Sequence, residues 1–405
     1  MPRHLILFAA TTGYQIRVFA DAARRLGMEL TLATDRCHVL DDPWGDRAIA
    51  VKFERIAESL EALAGMSCDG IAAVGDLPAV LAAEAAERLG VRFHPAAAAR
   101  ACHDKYLART LYQAAGLRTP PYFRATFEED GRTLAERASY PCVLKPLGLS
   151  ASRGVIRADT PAEFVAAHAR IRKLGQEYLQ VESYIEGREF AVEGLVTEGR
   201  FQALAIFDKP DPLEGPYFEE TIYVTPSREA AAVQQELLDT TATAVRALGL
   251  RHGPVHAELR YNAAGAWMLE AHARPIGGLC ARALRFSGGM SLEELILRHA
   301  VGEDVSQVRL DGPASGVMMI PIPKGGIYES VEGVERAQTL AGIEDLIITA
   351  KQGQRLIPLP EGSSYLGFLF ARGESPVHVE GALRQAHAEL RFQIATALDT
   401  FSPSS

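Results

Sequence analysis

The sequence predicts a multidomain protein of mixed α/β and α+β class: a parallel α/β layer at the N-terminus, two central α+β lobes, and a mixed α+β domain at the C-terminus. Three observations predict this. The chain has 405 residues, 48% of them hydrophobic and 23% charged, which is globular composition with room for roughly two to four domains. Its first hundred residues alternate short apolar runs with amphipathic stretches. The Thr119-Pro120-Pro121 segment then forces extended backbone, and beyond it strand and turn signals dominate.

In order, HLILFAA, ELTLATD and GIAAVGD read as strands, and IRVFADAARRLG and LPAVLAAEAAERLG as helices, the rhythm of a parallel layer. Ligands of such sheets sit beyond the strand C-termini, here near Thr11, Thr12, Gly13, Asp76 and Leu77, although ordinary turn chemistry also explains these residues. One or two helices follow over 96–116. A small lobe over about 118–185 contains YPCVLKPLG, a Ser/Gly loop, a helix from Phe164 to Leu174, and YLQVESYIEG. Strands EFAVEGLV and FQALAIFDKP and a helix from about Glu229 to Leu248 come next. Short strands and a closing helix from near Val377 make the last domain. The domains expected are 1–103, 104–305 and 306–405.

Composition excludes several classes. A net charge of −9 and a pI near 5.7 do not suit broad phosphate neutralisation, so no nucleic-acid partner is expected. No run of about 18 apolar residues marks a membrane span, and no cleavage signal follows MPRHLILFAATTGYQ, so a cytoplasmic protein is expected. Cys37, Cys68, Cys102, Cys142 and Cys280 form no CxxC pair, which points to reduced thiols rather than zinc or disulfides. The first strand is followed by AATTGYQ without GxGxxG, which argues against a dehydrogenase.

The most informative segment is GPVHAELRYNAAGAWMLEAHARP, two strand-like runs around Asn262-Ala263-Ala264-Gly265. Pairing symmetric about Ala264 puts Glu258 opposite Glu270 and His256 opposite His272 on one face. Two opposed carboxylates cost stability unless a cation lies between them, and hard oxygen ligands suit Mg²⁺; a solvent-facing hairpin is the other reading. A one-residue slip would undo the argument.

Lys145 ends the strand YPCVLK ahead of a loop in which Ser150, Ser152 and Gly154 offer hydroxyl and N–H groups to phosphate oxygens. That loop is not a Walker pattern, and an ordinary hairpin loop reads the same. In VESYIEGREF, Glu182 and Glu189 bracket Tyr184 and Ile185, a combination suited to an adenine edge and ribose hydroxyls or to a charged hairpin. Lys105 in HDKYLAR is by itself an ordinary helix lysine.

The serial order of these pieces resembles the ATP-grasp superfamily, to which biotin carboxylase and D-alanine:D-alanine ligase belong, over residues from about 100 to 305. The resemblance implies a central ATP-grasp fold of two α+β lobes that binds ATP with Mg²⁺, or with Mn²⁺ in its place. It further implies that Lys105 and Lys145 contact phosphates under the mobile loop from Ser150 to Gly154. Glu182, Tyr184 and Ile185 would face adenine and Glu189 the ribose, while Glu258 and Glu270 would hold the metal and Arg274 would stabilise the reacting phosphoryl group. Where many members read Glu-x-Asn-x-Arg, this chain has His272 in the Asn position, so a hydrogen bond to substrate or second-shell water is expected there instead of metal ligation.

DKPDPLEGPYFEETIYVTPS, HARPIGGLCARAL and YLGFLFARG look most like the L-amino acid ligases and related carboxylate-amine ligases. That implies amide formation through an acyl phosphate. The partners expected are a small carboxylate and an amine, with no membrane, and a homodimer is left open. Gly277 and Gly278 are candidates for a substrate carboxylate, Glu219 or Glu220 for an α-ammonium group, and His256 for substrate contact. A positive-φ turn and an exposed edge strand explain the same glycines and glutamates. The competing functions are an ATP-grasp carboxylase acting through carboxyphosphate and a non-catalytic nucleotide-binding protein.

Overall fold

The computed structural model describes residues 2–10, 14–35 and 47–396; Thr11, Thr12, Gly13 and Cys37 lie outside the described residues. At the N-terminus, β1 (His4–Ala9), α1 (Ile16–Arg25), β2 (Glu29–Thr34), β3 (Ala48–Ala50), α2 (Ile56–Ala62), β4 (Gly70–Val74) and α3 (Asp76–Leu89) build a parallel sheet of order β3-β2-β1-β4. Every residue of β1 beyond His4 is buried, as a parallel strand covered on both faces requires. Helix α1 buries Phe19, Ala22 and Ala23, the spacing of one helical stripe.

Helices α4 (Ala96–His103) and α5 (Lys105–Ala114) come next. Asp104 caps α5, its Oδ1 accepting from the N–H groups of Tyr106 at 2.9 Å and Leu107 at 3.0 Å. Lys105 is therefore the first helical residue, where the helix dipole disfavours a cation. That position demands a compensating anion.

The small lobe comprises β5 (Tyr122–Thr126), α6 (Gly131–Arg137), β6 (Cys142–Pro146), β7 (Ile156–Ala158), α7 (Pro161–Arg172) and β8 (Tyr178–Ser183), with an antiparallel sheet of order β5-β8-β6-β7. Its core gathers Phe127, Leu134, Leu144, Phe164 and Val181. The segment linking β8 to β9 (Arg188–Thr197) joins different sheets, so VESYIEGREF is a crossover rather than a hairpin.

Then follow β10 (Arg200–Lys209), β11 (Ile222–Thr225), α8 (Ala231–Leu248), β12 (Gly253–Asn262), β13 (Gly265–His272) and α9 (Leu292–Ala300). Strands β13, β12, β9 and β10 are successive neighbours. Their apolar face, with Phe190, Val192, Val255, Leu259 and Met268, shares a core with Leu237 and Val245 of α8 and Tyr112 of α5. Truncating Leu259 or Met268 to alanine in such a core costs about 2–5 kcal/mol.

The C-terminal part contains β14 (Ala314–Ile320), β15 (Gly326–Glu332), α10 (Val334–Gln338), β16 (Ile343–Ile348), β17 (Arg355–Leu356), β18 (Gly367–Gly373), α11 (Pro376–Glu389) and β19 (Arg391–Ala395). Strands β11-β14-β18-β16 are neighbours, and β17-β15-β19 form a separate sheet. Contacts gather the chain into two compact units: residues 1–121, 185–208 and 226–312, and residues 122–184, 209–225 and 313–405. No helix among the described residues is long and apolar enough to cross a membrane.

The hairpin corrects one expectation and keeps its consequence. Asn262 pairs with Gly265, so the turn has two residues, Ala263 and Ala264, rather than four. That register alone would set Glu270 opposite Ala257, on the wrong face. A bulge between the Leu259–Met268 and Glu258–Glu270 pairs absorbs Leu269 and restores the opposition of Glu258 to Glu270 and of His256 to His272.

Candidate active site

In the first unit, β9, β12 and β13 present one polar face. Across it, Glu193 aligns with His256 and His272, while Ala191 aligns with Glu258 and Glu270. Two carboxylate-histidine-carboxylate chains result. In one, the buried Glu193 bonds to His256 Nδ1, and His256 Nε2 lies 3.2 Å from Glu258 Oε1. In the other, His272 Nδ1 lies 3.0 Å from Asp76 Oδ1 and its Nε2 lies 3.2 Å from Glu270 Oε2. The two imidazoles stack with centroids 5.9 Å apart.

Burial opposes charging both histidines, but Glu193 and Glu258 lift His256 to about 9. Burial likewise opposes charge on His272, and Asp76 raises it despite Arg274. For Glu270, burial favours the neutral acid, yet Lys105 and His272 outweigh it and hold the carboxyl well below its usual range. Lys105 Nζ stands 3.9 Å from Glu270 Oε2, which supplies the anion its helix position demands. The like-charge conflict expected between Glu258 and Glu270 is thus met by Lys105 and by two imidazoles whose basicity their carboxylate partners raise.

Arg274 is fixed by Asp76, with Nε to Oδ1 at 2.8 Å and Nη2 to Oδ2 at 3.5 Å. Burial resists the charged Asp76, and the cations of Arg274 and His272 reverse that effect and keep it ionised. Asp76 also opens α3, where the helix dipole favours a carboxylate. Beyond Arg274, the Ile276 peptide is gripped on both sides. Its N–H donates to Glu193 Oε2 at 3.1 Å, and its carbonyl accepts from Gln15 Nε2 at 2.6 Å. Gly277 is exposed and Gly278 adopts φ 60°, the turn conformation glycine favours.

Glu189 is buried against Arg260, whose Nε donates to Oε2 at 2.9 Å while Nη1 donates to the Ile185 carbonyl at 2.6 Å. A Glu189 carboxylate oxygen comes within 4.8 Å of one from Glu258. The donor set of Glu258 and Glu270, hard oxygens only partly shielded from solvent, fits a magnesium ion.

In the second unit, Lys145 Nζ lies 2.9 Å from Glu182 Oε2, with the Glu182 side chain 3% exposed. Lys145 and Gln180 are paired across β6 and β8, and Gln180 donates to Glu182. Ser150 is exposed, Ser152 half-buried and Gly154 buried. The Tyr184 ring carries the Arg157 guanidinium 4.1 Å from its centroid and stacks beside Phe218. Glu220 pairs with the buried Lys209. Burial raises the Glu219 carboxyl, against a hydrogen bond from Ile322.

Sequence reasoning missed Glu193, Gln15, Arg260 and Lys209, and it read Asp76 only as a strand-end residue. Glu193 left one signal, an acid within the otherwise apolar run FAVEGLV. Gln15 left none.

Residues 138–283 match the ATP-grasp domain family. Residues 318–395 match the family described as L-amino acid ligase C-terminal domain 2. The fold is similar to that of an L-amino acid ligase from Bacillus licheniformis, with TM-score 0.82, 25% identity, and coverage of 98% of this chain and 100% of that one. An alanine–anticapsin ligase of Bacillus subtilis is 27% identical over 297 residues, 67% of this chain and 59% of that protein. A D-alanine–D-alanine ligase of Bordetella petrii is 30% identical over 179 residues, 42% of this chain and 54% of that protein. The chain spans about three fifths of the length of the first curated relatives it matches.

Proposed function

We propose that this chain is an ATP-dependent carboxylate-amine ligase that joins an amino acid, or another carboxylate, to an amine through an acyl phosphate, releasing ADP and phosphate. The observation that carries the reading is the registered pair Glu258 and Glu270, backed by His256 and His272 and flanked by an Arg274 locked onto Asp76.

The substrate carboxylate attacks the γ-phosphorus of ATP, and the bond to the β-phosphate oxygen breaks to give ADP. The amine then attacks the acyl carbon, the bond from that carbon to the bridging oxygen breaks so that phosphate departs with the oxygen, and the nitrogen loses a proton. Positioning and charge stabilisation supply most of the catalysis in such transfers. A Mg²⁺ ion held by Glu258 and Glu270, or Mn²⁺ in its place, would neutralise charge on the phosphate oxygens. Lys105 and Lys145 offset further phosphate charge. Arg274, fixed in orientation by Asp76, faces the transferring phosphoryl group.

His256 and His272 are positioning residues that hold the two glutamates and present a polar edge to substrate. Ser150, Ser152 and Gly154 cover the phosphates and exclude water that would hydrolyse the acyl phosphate. Glu182, Tyr184, Ile185 and Glu189 serve the adenosine, and Gly277 and Gly278 receive the amino-acid carboxylate. Glu219 or Glu220 receives the ammonium group. The likeness to an L-amino acid ligase over 98% of the chain supports a ligase over a carboxylase.

An ADP-release screen over pairs of amino acids, with mass spectrometry of products, tests the proposal. Turnover should need both a carboxylate and an amine, and Glu270→Gln or Arg274→Ala should abolish it while leaving far-UV circular dichroism unchanged. ADP release with bicarbonate alone, or full activity in either variant, would overturn the reading.

A further inference from the structure

Within the second unit, the loop between β6 and β7 keeps a conformation it would not hold alone. Ala151 and Ser152 both adopt left-handed backbone at φ 54°. Non-glycine residues persist there only where their surroundings impose it. The C-terminal part supplies such surroundings. The N–H of Gly154 donates to the Pro360 carbonyl at 2.8 Å. Next to it, Arg170 of α7 grips Glu361 with two parallel bonds, Nε to Oε1 at 2.5 Å and Nη2 to Oε2 at 2.9 Å.

The Arg170 guanidinium also bonds to the Tyr217 hydroxyl, and Tyr217 bridges to Ile156 at the loop's far end. Gly154 is itself packed tightly. A Cβ there would approach Pro146 and Leu174 to 2.9 Å, so the loop has little room to settle elsewhere while the Pro360 contact is made.

We propose that Pro360 and Glu361 form a latch through which the C-terminal domain sets the position of the 147–155 loop, with Arg170 and Glu361 as positioning residues. Bidentate arginine-carboxylate geometry gives the latch a defined direction, while the partial exposure of both side chains keeps it weak enough to release. The latch follows from contacts within this unit. Its consequence for ATP rests on the proposed ligase reading.

The test is limited trypsinolysis of the full-length chain, first without nucleotide and then with ATP, following by mass spectrometry the bond after Arg153, inside the loop. Glu361→Ala should speed that cut roughly 3–5-fold, the range a partly exposed ion pair controls, with other cuts unchanged. The charge swap Arg170→Glu with Glu361→Arg should return the Arg153 bond toward the wild-type rate. Under the ligase assay, Glu361→Ala should raise KM for ATP by a similar factor, leave kcat nearly unchanged, and be rescued by the same swap. An Arg153 bond cut equally fast in wild type and Glu361→Ala, or a swap that restores nothing, overturns the latch. If the latch behaves as stated but ATP neither protects the Arg153 bond nor changes its KM, the latch stands and the loop's role over the nucleotide is overturned.

Discussion

Replacing Asp76 with asparagine removes one charge and almost no volume, and it strikes the residue that both Arg274 and His272 face. Asp76 holds Arg274 at 2.8 and 3.5 Å and lies 3.0 Å from His272 Nδ1. The side chains of all three are at most 13% exposed, so solvent cannot take over the lost charge. Stranding a buried cation by removing its partner costs about 3–5 kcal/mol. With about 2–4 °C in Tm for each kcal/mol in a domain of this size, thermal unfolding should fall by roughly 6–20 °C.

Catalysis should suffer separately, because Arg274 loses its orientation. A displacement of about 1 Å at a reacting group costs about 10²-fold in rate. The assays are differential scanning fluorimetry and substrate-dependent ADP release, made on Asp76→Asn beside Arg274→Ala. If Asp76 acts through Arg274, the double variant should be little slower than Arg274→Ala alone. A wild-type Tm together with wild-type kcat/KM in Asp76→Asn would refute this account of the anchor.

Three further outcomes follow from the same structure. His256 is raised from 6.5 to about 9, so its pairing adds about 3 kcal/mol that is complete below pH 6.5 and lost as pH rises through about 9. Histidine NMR titration should show this, and Glu193→Gln should lower the value and remove the alkaline loss; a wild-type His256 titrating near 6.5 would sink the idea. His94 is lowered by burial from 6.5 to about 4, so about 3 kcal/mol of stability disappears as pH falls from 6.5 toward 4, and His299, lowered to about 3, acts in the same direction. Urea unfolding at pH 7 and 4.5 measures it, with a flatter dependence expected for His94→Gln. Deleting Leu269 should remove the bulge yet leave Glu270, now next to Met268, regularly paired with Glu258 on the polar face, so ADP release should persist; a deletion variant that folds with wild-type Tm but releases no ADP would show that the register is not what places Glu270.

Local periodicity made much of this molecule legible in the sequence. The parallel layer followed from the alternation of apolar runs and amphipathic stretches. The opposition of Glu258 to Glu270 was legible too, although the sequence reached it through a four-residue turn and the structure reaches it through a two-residue turn and a bulge. Legibility stopped where the structure depends on a single irregular residue or a distant one. Nothing in AWMLEAH marks Leu269 as the bulge, and a two-residue turn read without it misplaces Glu270 by one residue. Asp76, Glu193 and Gln15 are far in sequence from Arg274, His256 and Ile276, and only the fold brings them together. The state of the two histidines beside the glutamates was hidden for the same reason. Histidine protonation depends on Glu193 and Asp76, partners that no local pattern exposes.

The measurement that tests the central claim most directly is oxygen transfer from the substrate carboxylate. Incubating the protein with ATP, an amine and an amino acid labelled with ¹⁸O in its carboxyl group should yield ADP, amide, and inorganic phosphate carrying one ¹⁸O for each amide formed, as collapse of an acyl phosphate requires. Unlabelled phosphate accompanying labelled amide, or AMP and pyrophosphate in place of ADP, would contradict the account.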